Sequence, residues 1–203
     1  SNDQATALTT LQAANLGTTQ AAALTTAAIA AMDVADVAAM STAAVAAMST
    51  DQIRALTSAD DGQIVGLTTA QVAAMTTDQV VALTTDQVVD LTKAQIAGLS
   101  TDQVTTLSTA QMAALEDVDV SAFSTSAVAK LSTKQLDALA SDQVKGLTGT
   151  QVAAMSTAQL AVVVANLSAS ALTGMTTDDM ESYFSQLESD ISFDSNKAEA
   201  HIR

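Results

Sequence analysis

The chain has 203 residues, of which 48% are hydrophobic and only 2% aromatic, and it carries a formal net charge of −15 with no proline, tryptophan or cysteine. The length suits one sizeable domain, and the missing cysteines exclude disulfides and thiol chemistry. Seven Lys plus Arg against 22 Asp plus Glu leave no cationic face for nucleic acid or anionic lipid, and no apolar run is longer than that of Leu160–Ala165, which is far too short for a membrane span.

From the first residues onward a Leu or Met returns every eight positions: Leu8, Leu16, Leu24, Met32, Met40 and Met48. We label the octad a to h from that residue. The early units are worn. Gly17 follows Leu16, Asp33 follows Met32 where it reads as an N-cap, and Ala28 and Ala44 stand at position e. Leu56 then opens a longer unit, residues 56–66, in which Asp60-Asp61-Gly62 precede Gln63. Asp-Gly is a turn signal, so a loop or bulge is expected there.

The repeat is sharpest from Leu67 to Leu115: LTTAQVAA, MTTDQVVA, LTTDQVVD, LTKAQIAG, LSTDQVTT, LSTAQMAA. Each unit carries a helix-start signal. In the unit that begins at Leu83, Thr84 is the expected N-cap. Gln87, three residues on, is placed to return a hydrogen bond to the Thr84 N–H, which makes a capping box, and Leu83 and Val88 occupy the two positions of a hydrophobic staple. The carboxylates of Asp78, Asp86 and Asp102 fall in the first turn, at the positive end of the helix dipole.

A single long helix does not fit this spacing. Eight residues overshoot two turns by roughly 80°, so the Leu and Val positions would spiral around the rod. A straight or supercoiled seam needs a period of seven or eleven. The hydroxyl at b therefore restarts a helix in every unit, and helices so short are stable only when stacked on their neighbours. The expectation is an all-α solenoid of very short helices, one per octad. A β-solenoid is the alternative, because Thr and Val favour strands; the Ala content and the Gln at e speak for helices. Positions a and f should point inward, h should be small enough for close approach, and d and g should face water.

Beyond Leu115 the beat continues through Phe123, Leu131, Leu139, Leu147 and Met155. Residues 155–166 then add about one helical turn, which predicts a longer helix, and Leu167 and Met175 should resume the rhythm. Residues 1–183 are read as the solenoid. Residues 184–203 are read as a longer C-terminal capping helix and polar tail, following the larger apolar residues Met180, Tyr183, Phe184, Leu187 and Ile191.

Few residues suggest chemistry. Asp51, Asp78, Asp86, Asp102, Asp142 and Asp178 recur at d and could stack into a carboxylate ladder, but dipole compensation explains them better. Asp60-Asp61-Gly62 lacks the ligand spacing of a calcium loop. His201 has no second His or Cys to share a metal with, and the many Ser and Thr residues have no base beside them. Met32, Met40, Met48, Met75, Met155 and Met175 at a are read as core filler. No catalytic, cofactor or metal residue is assigned, and an enzyme is not expected.

The L-[ST]-T-x-Q-[VI]-x-x pattern, sharpest over Leu67–Leu115 and traceable from Leu8 to Tyr183, resembles octapeptide arrays of very large bacterial surface and secreted proteins, many of them adhesin-like. At the level of fold, stacked miniature helices also resemble the superhelical cytoplasmic domain of bacterial magnesium channels. The first resemblance implies an extracellular spacer or structural module at the cell surface, with self-association or another surface protein as partner. A protein-binding scaffold and a variable insert of a flagellin-like filament subunit are the alternative functions.

Overall fold

The computed structural model describes residues 6–59 and 61–172. Among them are nineteen helices and no strand, which decides for the helical solenoid over the β alternative. The chain winds three helices to a coil. The first coil holds α1 (Thr10–Ala14), α2 (Thr18–Ala22) and α3 (Thr26–Ala30), and the second α4 (Val34–Ala39), α5 (Thr42–Ala46) and α6 (Thr50–Arg54). The third holds α7 (Gln63–Gly66), α8 (Thr69–Ala74) and α9 (Thr77–Ala82), and the fourth α10 (Thr85–Val89), α11 (Lys93–Gly98) and α12 (Thr101–Thr106). The fifth holds α13 (Thr109–Ala114), α14 (Asp117–Val120) and α15 (Thr125–Val128), and the sixth α16 (Thr133–Asp137), α17 (Ser141–Lys145) and α18 (Gly149–Ala153). The last helix, α19 (Thr157–Leu172), is 16 residues long.

Each helix packs on the one three places later: α1 on α4, α5 on α8, α9 on α12, α14 on α17. The solenoid is thus a three-sided stack whose corners lie at positions a and b. Both corner residues are extended, as at Leu83 (φ −56°, ψ 134°) and Thr84 (φ −71°, ψ 162°). The capping box explains why the chain restarts there. The Thr84 hydroxyl accepts from the Gln87 N–H at 3.1 Å, and the Gln87 side chain accepts from the Thr84 N–H at 2.9 Å. Positions a and f fill the interior, with Leu83, Val88, Leu91 and Ile96 all buried. The 24-residue coil is one that a single octad cannot reveal.

Two irregularities interrupt the regular winding. Three extra residues stand between Thr57 and Gln63 at a corner, and the stack on either side keeps its order. Thr57 still caps: its hydroxyl accepts from the Gln63 N–H at 3.0 Å, and the Gln63 side chain accepts from the Thr57 N–H at 3.0 Å, across six residues instead of three. Gly62 seals the loop, because a Cβ there would lie 2.7 Å from the Thr57 carbonyl oxygen and 2.9 Å from the Ala59 nitrogen. The longer helix expected near 155–166 is α19, which packs on both α16 and α17. It runs through Leu167, so that residue opens no new unit; the rhythm expected to resume there is absorbed into a continuous helix. The capping helix expected over 184–203, the closing unit at Tyr183, and Met175, Asp178 and His201 lie outside the described residues. Among the described residues no helix is long and apolar enough to cross a membrane.

Candidate functional site

The most organised polar feature is internal. Position e was expected to serve its own helix only; in the structure it is buried and joins two coils. Gln111 shows the arrangement. Its Oε1 accepts from the Ser108 N–H at 2.9 Å, while its Nε2 donates to the carbonyls of Val80 and Leu83, both at 2.9 Å. Val80 is the f residue in the last turn of α9, which ends at Ala82, and Leu83 is the corner that follows it. The amide therefore satisfies an orphan N–H at the start of one helix and, one coil below, the corner carbonyl of Leu83, and it gives a second donor to the Val80 carbonyl, which also accepts from the Leu83 N–H. Both hydrogens and the oxygen of the side chain are used, so burial of this polar group carries no unpaired penalty.

The same rung recurs at twelve glutamines, from Gln52 to Gln159. Its register is fixed: Nε2 reaches carbonyls 31 and 28 residues back, as in Gln103 to Val72 and Met75. For Gln63, Gln71, Gln79 and Gln87, whose reach crosses the loop after Thr57, the offsets are 34 and 31, so the loop adds three residues to the chain and none to the stack. In α19, where no helix starts, Asn166 takes the place of the glutamine and donates to the carbonyls of Leu136 and Leu139 at 3.0 and 3.2 Å.

Two aspartates stand in the ladder. Asp36 is 3% exposed and its Oδ2 is buried with no hydrogen-bond partner; Asp119 is 2% exposed and accepts from the Glu116 N–H at 3.2 Å. Loss of solvent around Asp119 lifts its carboxyl above the ordinary aspartate value, against the pull of that N–H; the charges of Glu116 and Asp117 add to the rise and Lys93 opposes it. Asp33, expected to cap α4, makes no side-chain cap bond.

Small residues at h let the coils touch. A Cβ on Gly66, Gly98 or Gly146 would meet Val34, Thr69 or Asp117 one coil below, and for Gly146 the atom met is the backbone oxygen of Asp117 at 2.2 Å.

The carboxylates at d are sorted by the three-sided winding. Asp51, Asp78 and Asp102 lie on α6, α9 and α12, one above another on one side, while Asp86 is on α10 and Asp142 on α17, on the other two. Two are engaged by cations of their own helices, Asp51 with Arg54 at 3.0 Å and Asp142 with Lys145 at 2.8 Å. Among the described residues no group of three or more His, Cys, Asp or Glu is arranged to hold a metal ion.

A family model described as the ALTTAQ repeat matches residues 29–60, 60–93 and 112–149, just over half of the chain. No curated protein and no solved structure matches the chain. The matched segments hold seven of the twelve glutamine rungs together with both aspartates that interrupt them, and on that extent of match the chain belongs to the ALTTAQ repeat family.

Proposed function

We propose that this chain is a non-enzymatic structural module that sets a fixed distance within a bacterial extracellular surface, adhesin or filament protein. The observation that carries the reading is the glutamine ladder. Buried amide bonds tie coil to coil at a constant register, in addition to the apolar contacts of positions a and f. A stack joined that way behaves as a strut. Helices pack about 9 Å apart, so six coils extend on the order of 50 Å. The outer surface suits the same role. It is dominated by Thr, Ser, Ala and acidic side chains, and among the described residues its exposed large apolar residues, Leu11, Val81, Val89, Val118 and Val164, sit singly on different helices. Recognition faces instead gather aromatic and Arg anchors.

The test is to delete residues 69–92, one coil, or to duplicate them, in the cell that makes the protein. For a spacer, the reach of the flanking parts measured by small-angle scattering changes by about 9 Å per coil, the protein is labelled on intact cells as before, and function follows length. Loss of function on replacing only surface residues of α8–α10, at unchanged length, would instead mark a binding scaffold. Labelling only after cell lysis would remove the surface assignment.

A further inference from the structure

The seam between the fourth and fifth coils holds one glutamine rung, Gln111, where neighbouring seams hold three. Its other two ladder positions are Asp119 on α14 and Ala127 on α15. At the register of 31 and 28 residues, the carbonyls that Asp119 should serve are those of Val88 and Leu91. No side chain donates to them among the described residues, and the sole bond of the Asp119 carboxyl is the one it accepts from the Glu116 N–H. An ionised carboxylate has no hydrogen to offer a carbonyl.

We propose that Asp119 is a proton-operated rung: on taking a proton from solvent its carboxyl becomes an O–H donor to the corner formed by Val88 and Leu91, and the seam between the fourth and fifth coils tightens as the medium turns acidic. The charged groups around it bear on how readily this happens. Glu116 and Asp117 lie on its own unit. On the helices packed against α14, the charges are Lys93 of α11 and Asp142 and Lys145 of α17, of which the last two pair with each other at 2.8 Å. Asp90 ends α10 at the corner below. Desolvation is the largest influence on the Asp119 carboxyl and raises its affinity for the proton. The sign follows. The folded chain binds this proton more readily than the unfolded chain, whose aspartates titrate near 3.9, so folding gains as pH falls through the raised value and gains nothing further below the unfolded one. Acid also relieves the chain's overall negative charge, but that acts alike on the parent and on a variant at one position.

The experiment compares thermal melts of the whole chain with D119Q and D119N from neutral pH down to the carboxylate range. D119Q supplies a permanent donor. It is expected to melt several degrees above the parent at neutral pH, with the gap shrinking as the parent acquires its proton. A gap that stays constant across the range overturns the proposal. Should either variant fold poorly, carboxyl-carbon NMR on the unaltered chain decides. The Asp119 carboxyl is expected to take its proton at a pH above the ordinary aspartate value of about 3.9, and titration at or below that value overturns the proposal equally.

Discussion

The side-chain amide of Gln103 donates to the carbonyl of Met75, 28 residues earlier, at 2.7 Å. Its oxygen accepts from the Ser100 N–H at 2.7 Å, so the same side chain that begins α12 also closes a corner one coil below. Local helix capping and long-range stacking are one interaction here. A helix of six residues is too short to persist by itself, and its cap is made from the group that docks it.

Replacing Gln103 by Leu should therefore cost more than an ordinary cap. It leaves the Ser100 N–H and the carbonyls of Val72 and Met75 without a side-chain partner in a buried place. At about 1–3 kcal/mol for an unsatisfied buried group, a total near 3 kcal/mol is expected. Gln103→Glu keeps the acceptor for Ser100 but removes both donors and buries a charge, so it should cost at least as much at neutral pH and recover part of the loss in acid. Urea unfolding midpoints of the two variants at neutral and acidic pH check both statements; a loss in either variant no larger than the roughly 1 kcal/mol of a simple cap would contradict them.

The loop after Thr57 yields a prediction of the opposite sign. Removing residues 59–61 turns residues 56–66 into the regular octad LTSGQIVG, with Thr57 and Gln63 three apart as in every capping box. The rungs from Gln63 to Gln87 then return to offsets of 31 and 28. The deletion should fold and melt at or above the parent temperature, since loop closure costs less for a shorter loop. In the intact chain Gly62→Ala should be destabilising, because the added Cβ meets backbone atoms of the loop itself at 2.7–2.9 Å. In the deletion variant the same substitution should be tolerated. Melts of the four combinations give the answer.

The octad, the capping boxes, the inward a and f positions, the small h position, the loop after Leu56 and the longer helix after Met155 were all legible in the sequence, because each is set by residues within one or two units. The number of helices per coil was not. The contact between Gln103 and Met75 spans more than three units, and nothing within a single octad records it. One signal was there to be used. A capping box accepts Glu as readily as Gln, and Glu would favour the helix dipole, yet no Glu stands at e in any of the sharp units. An amide chosen over a carboxylate in an acidic chain means that its hydrogens are needed. The same reasoning makes Asp36 and Asp119, which stand at e in place of the amide, departures of substance.

The two kinds of close contact at h should respond differently to the same change. In Gly98→Ala the new Cβ meets the Thr69 side-chain methyl at 2.5 Å, whereas in Gly146→Ala it meets the Asp117 backbone oxygen at 2.2 Å. A side chain can be trimmed and a backbone cannot. Gly98→Ala should lose up to about 1 kcal/mol, since alanine's better helix propensity offsets part of the strain, and Thr69→Ser should restore it. Gly146→Ala should lose about 2–3 kcal/mol, and Asp117→Ala should not rescue it. Double-mutant cycles on the two pairs, read by denaturant midpoints, separate the cases.

Ala127 occupies the remaining empty ladder position of the seam between the fourth and fifth coils. Its N–H is capped by the Ser124 hydroxyl at 3.1 Å, the arrangement that glutamine has at other e positions, but Ser124's own N–H has no side-chain acceptor. At offsets of 31 and 28 the carbonyls below are those of Ile96 and Leu99. Ala127→Gln should place Oε1 on the Ser124 N–H and Nε2 on those carbonyls, adding about 1 kcal/mol for each net hydrogen bond gained. The competing effect is overpacking, at about 1–3 kcal/mol, since Ala127 is fully buried. The helix α15 packs on α12, three places earlier, as the other helices of the stack do, so the amide's path is expected to be the one twelve other side chains follow, and the hydrogen bonds should prevail. A raised melting temperature together with slower amide exchange at Ser124 confirms the added rung. A lowered one shows that the seam has closed over the gap, and that the ladder is interrupted there by packing as well as by sequence.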